Sequence, residues 1–155
     1  MITENAIEFR DMLPAGGMLL GLDPGTKTIG TALCDPEWRF ATAGKTLPRT
    51  KFGQDKLALE ALITARGVKG VVIGLPLNMD GSSGARAQAA RAFARNLGVL
   101  GLPILLWDER MSTLAAERDM IAQDFSRAKR AERIDSHAAA VILQGAIDRL
   151  AGGLF

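Results

Sequence analysis

Met18-Leu19-Leu20-Gly21-Leu22-Asp23-Pro24-Gly25-Thr26-Lys27-Thr28-Ile29-Gly30 decides how this chain folds. An apolar run ends on an aspartate, the backbone turns through Pro24 and Gly25, and a second apolar, β-branched run begins at Thr28. The pattern predicts a buried strand over 18–23, a tight turn, and a second strand over 28–34. A carboxylate at a buried strand end is costly unless a cation, such as a divalent metal acting on phosphate, compensates it. Asp23 can alternatively serve as a turn residue bonding its own backbone.

Outward from that hairpin the elements alternate. Residues 39–47 read as a third strand and 54–66 as a helix ended by Gly67. Val71-Val72-Ile73 has the continuous apolar character of a strand covered on both faces. A Pro-, Asn-, Asp- and Gly-rich loop spans 75–84, and an alanine-rich helix follows over 85–97, with Ala90, Phe93, Ala94 and Leu97 inward. Residues 103–107 form another buried strand that delivers Asp108-Glu109-Arg110 at its carboxyl end. Ser112 can cap a helix reaching about residue 123, 124–133 reads as polar and mobile, and 134–150 as a final helix. Residues 1–17 read as an N-terminal extension of a helical turn or two, ended by Pro14 and Gly16-Gly17, ahead of one domain over 18–151. A hairpin followed by βαβ units implies an α/β fold with a mixed sheet flanked by helices.

Composition limits the function. The 155 residues hold 48% hydrophobic side chains, enough for a core, and one cysteine, Cys34, which excludes an internal disulfide. No run reaches the eighteen or so apolar residues of a membrane span. Glu4, Glu8 and Asp11 argue against a secretory leader, so a cytoplasmic protein is expected. The net charge is only +2, yet Lys45, Arg49, Lys51 and Lys56 crowd one region and Arg127, Lys129, Arg130 and Arg133 another. Such stripes suit a polyanion, or simply solubility.

Three carboxylates stand out. Asp23 and Glu109 fall at carboxyl ends of strands, where ligands of such sheets gather. Asp135 heads a stripe with Ala139, Ile142 and Ala146 on the last helix, which turns that stripe toward the sheet and the carboxylate toward its edge. Individually, Glu109 can pair with Arg110 or cap a helix, and Asp135 can favour a helix dipole. Together, three like charges need cations, and an all-oxygen set suits Mg²⁺ or Mn²⁺, with two ions about 4 Å apart in phosphoryl displacement. His137, Gln144 and Asp148 form the opposing, solvent-facing stripe, and Trp107 reads as core.

Four ordered segments then carry a resemblance: Gly21-Leu22-Asp23-Pro24-Gly25 with Ile29-Gly30, Gly74-Leu75-Pro76-Leu77 with Gly81-Ser82, Asp108-Glu109-Arg110 with Ser112-Thr113, and Ile134-Asp135 with Ala138-Ala139 and Ile142-Leu143-Gln144. They resemble the YqgF family, bacterial RNase H-like proteins to which Holliday junction resolution and pre-16S rRNA processing are ascribed. The resemblance implies an RNase H-like fold with a five-stranded mixed sheet. It implies metal-dependent phosphodiester hydrolysis by Asp23, Glu109 and Asp135, with Asp23 bridging two metals and the others each helping to hold one. Nucleic acid, ribosomal RNA precursor or branched DNA, is the expected partner, met by Lys27, Arg91, Arg95, Arg110, Arg127 and Arg130 in a monomer or homodimer without membrane contact. Arg110 is expected to be free for phosphate. Thr28 departs from the family, many of whose members carry arginine there. A non-cleaving binding module and an ATPase or phosphotransferase built on the Asp-Pro-Gly-Thr turn are the other function classes.

Overall fold

The computed structural model describes residues 1–111 and 127–152, the latter as backbone alone through residue 136. The helix expected to begin at Ser112 lies outside the described residues. Seven strands form one sheet: β1 (Ile2–Thr3), β2 (Leu19–Pro24), β3 (Thr28–Cys34), β4 (Ala41–Ala43), β5 (Leu47–Pro48), β6 (Gly70–Leu75) and β7 (Ile104–Asp108). They run in the order β1-β7-β6-β2-β3-β4, with β5 also on β3. The helices are α1 (Ala6–Asp11), α2 (Phe52–Arg66), α3 (Ala85–Leu97) and α4 (Arg127–Gly152). Among the described residues no helix is long and apolar enough to cross a membrane.

The β2–β3 hairpin forms as its sequence dictates, with Leu22 opposite Thr31 and Asp23 opposite Gly30. β2 and β6 are parallel, as are β6 and β7, so these three carboxyl ends share one edge. β2 and β6 are buried along almost their whole length, because helices cover both faces. Leu20, Leu22, Val71, Ile73, Ile104 and Leu106 face Leu59 of α2 and Phe93 and Leu97 of α3. Leu19, Val72, Leu105 and Trp107 face Ala139, Ile142, Leu143 and Ala146 of α4, and Phe9 of α1. Gly21 makes that second layer close: a Cβ there would stand 2.8 Å from Leu143 Cβ and 2.9 Å from the Ala139 carbonyl oxygen.

Several expectations are corrected. The third strand, read as continuous over 39–47, is split into β4 and β5, both on β3. The break is anchored where Gly44 N–H donates to the Thr31 carbonyl at 2.7 Å and the Thr31 hydroxyl to the Lys45 carbonyl. Residues 1–17 hold the expected helical turns as α1, but their start also joins the sheet. β1 lies parallel to β7, Ile104 N–H donates to the Met1 carbonyl at 2.8 Å, and Asn5 caps α1 by accepting from Ile7 and Glu8 N–H. This addition covers the outer edge of β7, an edge that would otherwise offer unpaired backbone groups. The sheet therefore has seven strands rather than five, the five expected ones being β4-β3-β2-β6-β7. α4 starts at Arg127, seven residues before the helix read from Ile134, so helix replaces the latter part of the segment expected to be mobile. Gln144 is half-buried rather than solvent-facing: it accepts from Ala41 N–H at 2.8 Å and donates to the Arg39 carbonyl at 3.0 Å, tying α4 to β4.

Candidate nuclease site

Asp23, Gly74 and Asp108 mark the shared carboxyl edge of the three parallel strands. Side chains alternate along a strand, so Asp23 projects to the same face as Gly21, toward α4. It is 5% exposed, deep for an aspartate. Glu109 opens a single 3-10 turn directly after β7. Its carboxyl carbon lies 3.2 Å from the position of a Cβ on Gly74. Gly74 sits on β6, the strand between β2 and β7, and its would-be Cβ points at Ile142 of α4. Asp23 is therefore one strand spacing, about 4.8 Å, from the glycine that Glu109 covers, and on the same face. Gly74 is what leaves room for the Glu109 carboxylate above the sheet.

Asp135 belongs to α4, one helical turn before Ala139. Ala139 packs on Gly21, while the later Leu150 carbonyl accepts from Arg10, beside Phe9 and the amino end of β6. α4 thus runs antiparallel to β2, and the turn carrying Asp135 lies toward the Asp23 edge. Its side chain lies outside the described residues. Among the described residues no three His, Cys, Asp or Glu side chains gather for a metal. The donor chemistry fits a hard divalent cation: two carboxylates on one face, one of them buried, above a glycine that keeps the space clear.

A groove of about 690 Å³ borders Asp23, with Lys27, Gly74, Arg49, Pro76 and Arg86 on its walls. Arg49 shapes it. Its Nη1 donates to the Gly25 carbonyl at 2.7 Å and its guanidinium lies 5.2 Å from the centre of the Phe93 ring. Its own N–H donates to the Lys27 carbonyl at 2.9 Å, and Gly25 N–H to the Thr28 carbonyl at 2.8 Å. The turn after Asp23 is thereby fastened to α3.

The basic residues expected at the site are spread over four places. Lys27 lines the groove beside Asp23. Arg110 pairs with Asp108 at 2.7 Å, not with Glu109, and donates to the Met79 carbonyl at 3.3 Å, securing the loop 76–84 to the end of β7. Hydrogen bonding from Arg110 holds the Asp108 carboxyl below the usual carboxylate range, and Asp108 in turn raises Arg110. Arg91 pairs with Glu4 at 2.8 Å, and with Arg95 it lines a separate groove of about 250 Å³ beside β1. Arg127 and Arg130 open α4, their side chains outside the described residues. Trp107 is core, 8% exposed.

Arg86 was absent from the sequence reading. Its signal was present: Arg86, Ala90 and Phe93 share the i, i+4, i+7 stripe of α3, of which Ala90 and Phe93 are buried. A basic residue heading a core stripe is carried to the rim of the sheet.

Relatives agree with this architecture. The model of the family described as RuvX, Holliday junction resolvase, matches residues 17–149. A protein of Novosphingobium aromaticivorans is 72% identical over all 155 residues of both chains. One of Sphingopyxis alaskensis is 64% identical over 150 residues, 97% of this chain and 99% of that one. Both are named as candidate pre-16S rRNA nucleases. Among solved structures, Thermus thermophilus RuvC in complex with a Holliday junction substrate superposes with a TM-score of 0.56 at 15% identity, over 88% of this chain and 96% of that one. The yeast mitochondrial Holliday junction resolvase Ydc2 gives 0.52 at 12% identity, over 96% of this chain and 85% of that one. These two establish a shared RNase H-like fold. With its family model matched from the start of the β2 hairpin almost to the end of α4, the chain belongs to the RuvX Holliday junction resolvase family.

Proposed function

We infer that this protein is a metal-dependent endonuclease that hydrolyses phosphodiester bonds in structured nucleic acid. The observation that carries the reading is the Glu109 carboxylate set over Gly74, on the strand beside the buried Asp23, at an edge whose neighbouring groove is walled by Lys27, Arg49 and Arg86. A pure binding module gains nothing from carboxylates facing phosphates, because like charges repel. Asp23 and Glu109 would hold Mg²⁺ or Mn²⁺, and Asp135 is the third residue suited to the task by its place on α4. Two such ions, when bound, supply an activated water and neutralise charge on the leaving oxygen. The chain's part is to orient the phosphate and to hold the carboxylates in place at the strand edge.

The names of the relatives favour the end of the 16S ribosomal RNA precursor as substrate, which would place the protein in the cytoplasm. The second reading, a junction resolvase, is favoured by the family description. Symmetric cutting of a four-way junction would call for two copies of the chain. Cleavage of ribosomal RNA precursor, linear duplexes and four-way junctions at one salt concentration separates the two. Asp23→Asn is expected to abolish cleavage, a loss of about a thousandfold or more, with nucleic-acid affinity equal or higher. Cleavage by that variant at the normal rate would overturn the assignment.

A further inference from the structure

We propose that the groove between the 24–28 turn and α3 holds a backbone phosphate of the nucleic-acid strand adjacent to the phosphate being cut, with Arg49 as its fixed anchor and Lys27 and Arg86 as outer contacts. The proposal rests on the nucleic-acid reading of the same edge and joins two further cations, Arg49 and Arg86, to Lys27 in one subsite.

Charge pairing is the first argument. Several other cations are paired: Arg110 with Asp108, Arg91 with Glu4, and Lys56 with Glu60. Among the described residues, no carboxylate lies within ion-pair distance of Lys27, Arg49 or Arg86. These are also the three basic residues that line the groove, where Asp23 is the one acidic neighbour. Unneutralised cations clustered on one concave wall raise the local positive potential and favour an anion there.

Construction is the second argument. Arg49 is half-buried and its guanidinium is held at two points, the Gly25 carbonyl and the Phe93 ring, the latter set edge-on against Phe52. A guanidinium presents a planar fork of donors, and one contact to Gly25 leaves the rest of that fork for an oxyanion. Because the side chain is already immobilised, little rotamer entropy remains to be lost on binding phosphate. Lys27 and Arg86 are exposed and adjust around that anchor.

Register is the third argument. Asp23 and Gly74 both line the groove, so it adjoins the strand edge at which a scissile phosphate would meet Asp23. The volume, about 690 Å³, exceeds what one phosphate fills and suits a sugar-phosphate segment.

The test is equilibrium binding of the full chain to a labelled ribosomal RNA precursor fragment, without divalent metal, across a series of KCl concentrations. Lys27→Ala and Arg86→Glu are each expected to weaken binding about tenfold and to lower the slope of log K against log salt by roughly one. Arg49→Gln is expected to do the same, its folding checked by thermal melting because it also fastens the turn. Arg66→Glu, an equal charge change at the far end of α2, is expected to leave affinity and slope as they are. Wild-type affinity and slope for both Arg86→Glu and Lys27→Ala would overturn the subsite, as would an equal loss in Arg66→Glu. Tight ATP binding that Arg49→Gln removes while RNA affinity stands would likewise overturn it, assigning the groove to a nucleotide. Because no cleavage is read, failure here is separate from failure of the nuclease reading, which Asp23→Asn tests.

Discussion

Glu109 and Gly74 are in intimate register: the glutamate's carboxyl carbon lies 3.2 Å from where a side chain on the glycine would begin. The same point is 2.5 Å from Ile142 Cδ1. Gly74→Ala would therefore push on an apolar tip from one side and on a carboxylate from the other. The isoleucine end can swing aside at the usual overpacking cost of about 1–3 kcal/mol. Glu109 can yield only by moving its carboxylate from its place over Gly74. Cleavage by Gly74→Ala is expected to fall at least tenfold, while urea denaturation shows a folded protein. Adding Ile142→Ala should restore stability without restoring cleavage; recovery of both would mean that Glu109 had not been displaced.

Phe9 supplies a contrasting case at the other end of the sheet. It is fully buried, and its ring tip lies 2.9 Å from the Cβ position of Gly70, at the amino end of β6. Removing so large a buried ring costs about 3–5 kcal/mol. Phe9→Ala should show that loss in urea denaturation, with the cleavage rate of the folded fraction within about twofold of normal. A comparable stability with Phe9 truncated would mean that the N-terminal segment is dispensable to the core.

Asp35 gives the fold an acid-sensitive turn. Its carboxylate accepts from Phe40 N–H at 2.6 Å, from Arg39 N–H at 2.9 Å and from the Arg39 guanidinium at 3.4 Å. Those bonds, Phe40's foremost, hold its pKa down at about 2 from the ordinary 3.8. In the unfolded chain the group protonates first as pH falls, so its stabilisation is complete above about pH 4 and is lost as pH drops toward 2. Asp35→Asn should be less stable than the parent at neutral pH, and the gap should narrow through that window. Denaturation curves taken at a series of pH values measure it; a gap that stays constant with pH would assign the effect to something other than this carboxylate's charge.

Much of this was legible before any coordinates. The helix over 85–97 matches α3 to the residue, and the strand read over 103–107 differs from β7 by one residue at each end. Both carry an apolar pattern long enough to declare its period. Residues 1–17 were not legible as sheet, because a strand of two residues has no period and β1 exists only by pairing with β7. The split of the third strand was hidden for a similar reason, since its cause is the contact of residues 44 and 45 with Thr31. Arg110 seemed free for phosphate, yet its nearest acceptor is two residues back, at Asp108.

Sequence alone determined the order of the main strands and helices after β1, and with it the arrival of Asp23 and Glu109 at the carboxyl edge of a parallel core. That much follows from local hydrophobic period and from the handedness of strand connections. Tertiary structure alone decided which cations stand beside them. Arg86 and Arg49 reach the edge because α3 seats its stripe on the sheet and Phe93 meets Arg49, whereas Arg91 is turned away to Glu4. Such choices depend on how surfaces far apart in the chain come together, and no local pattern records that.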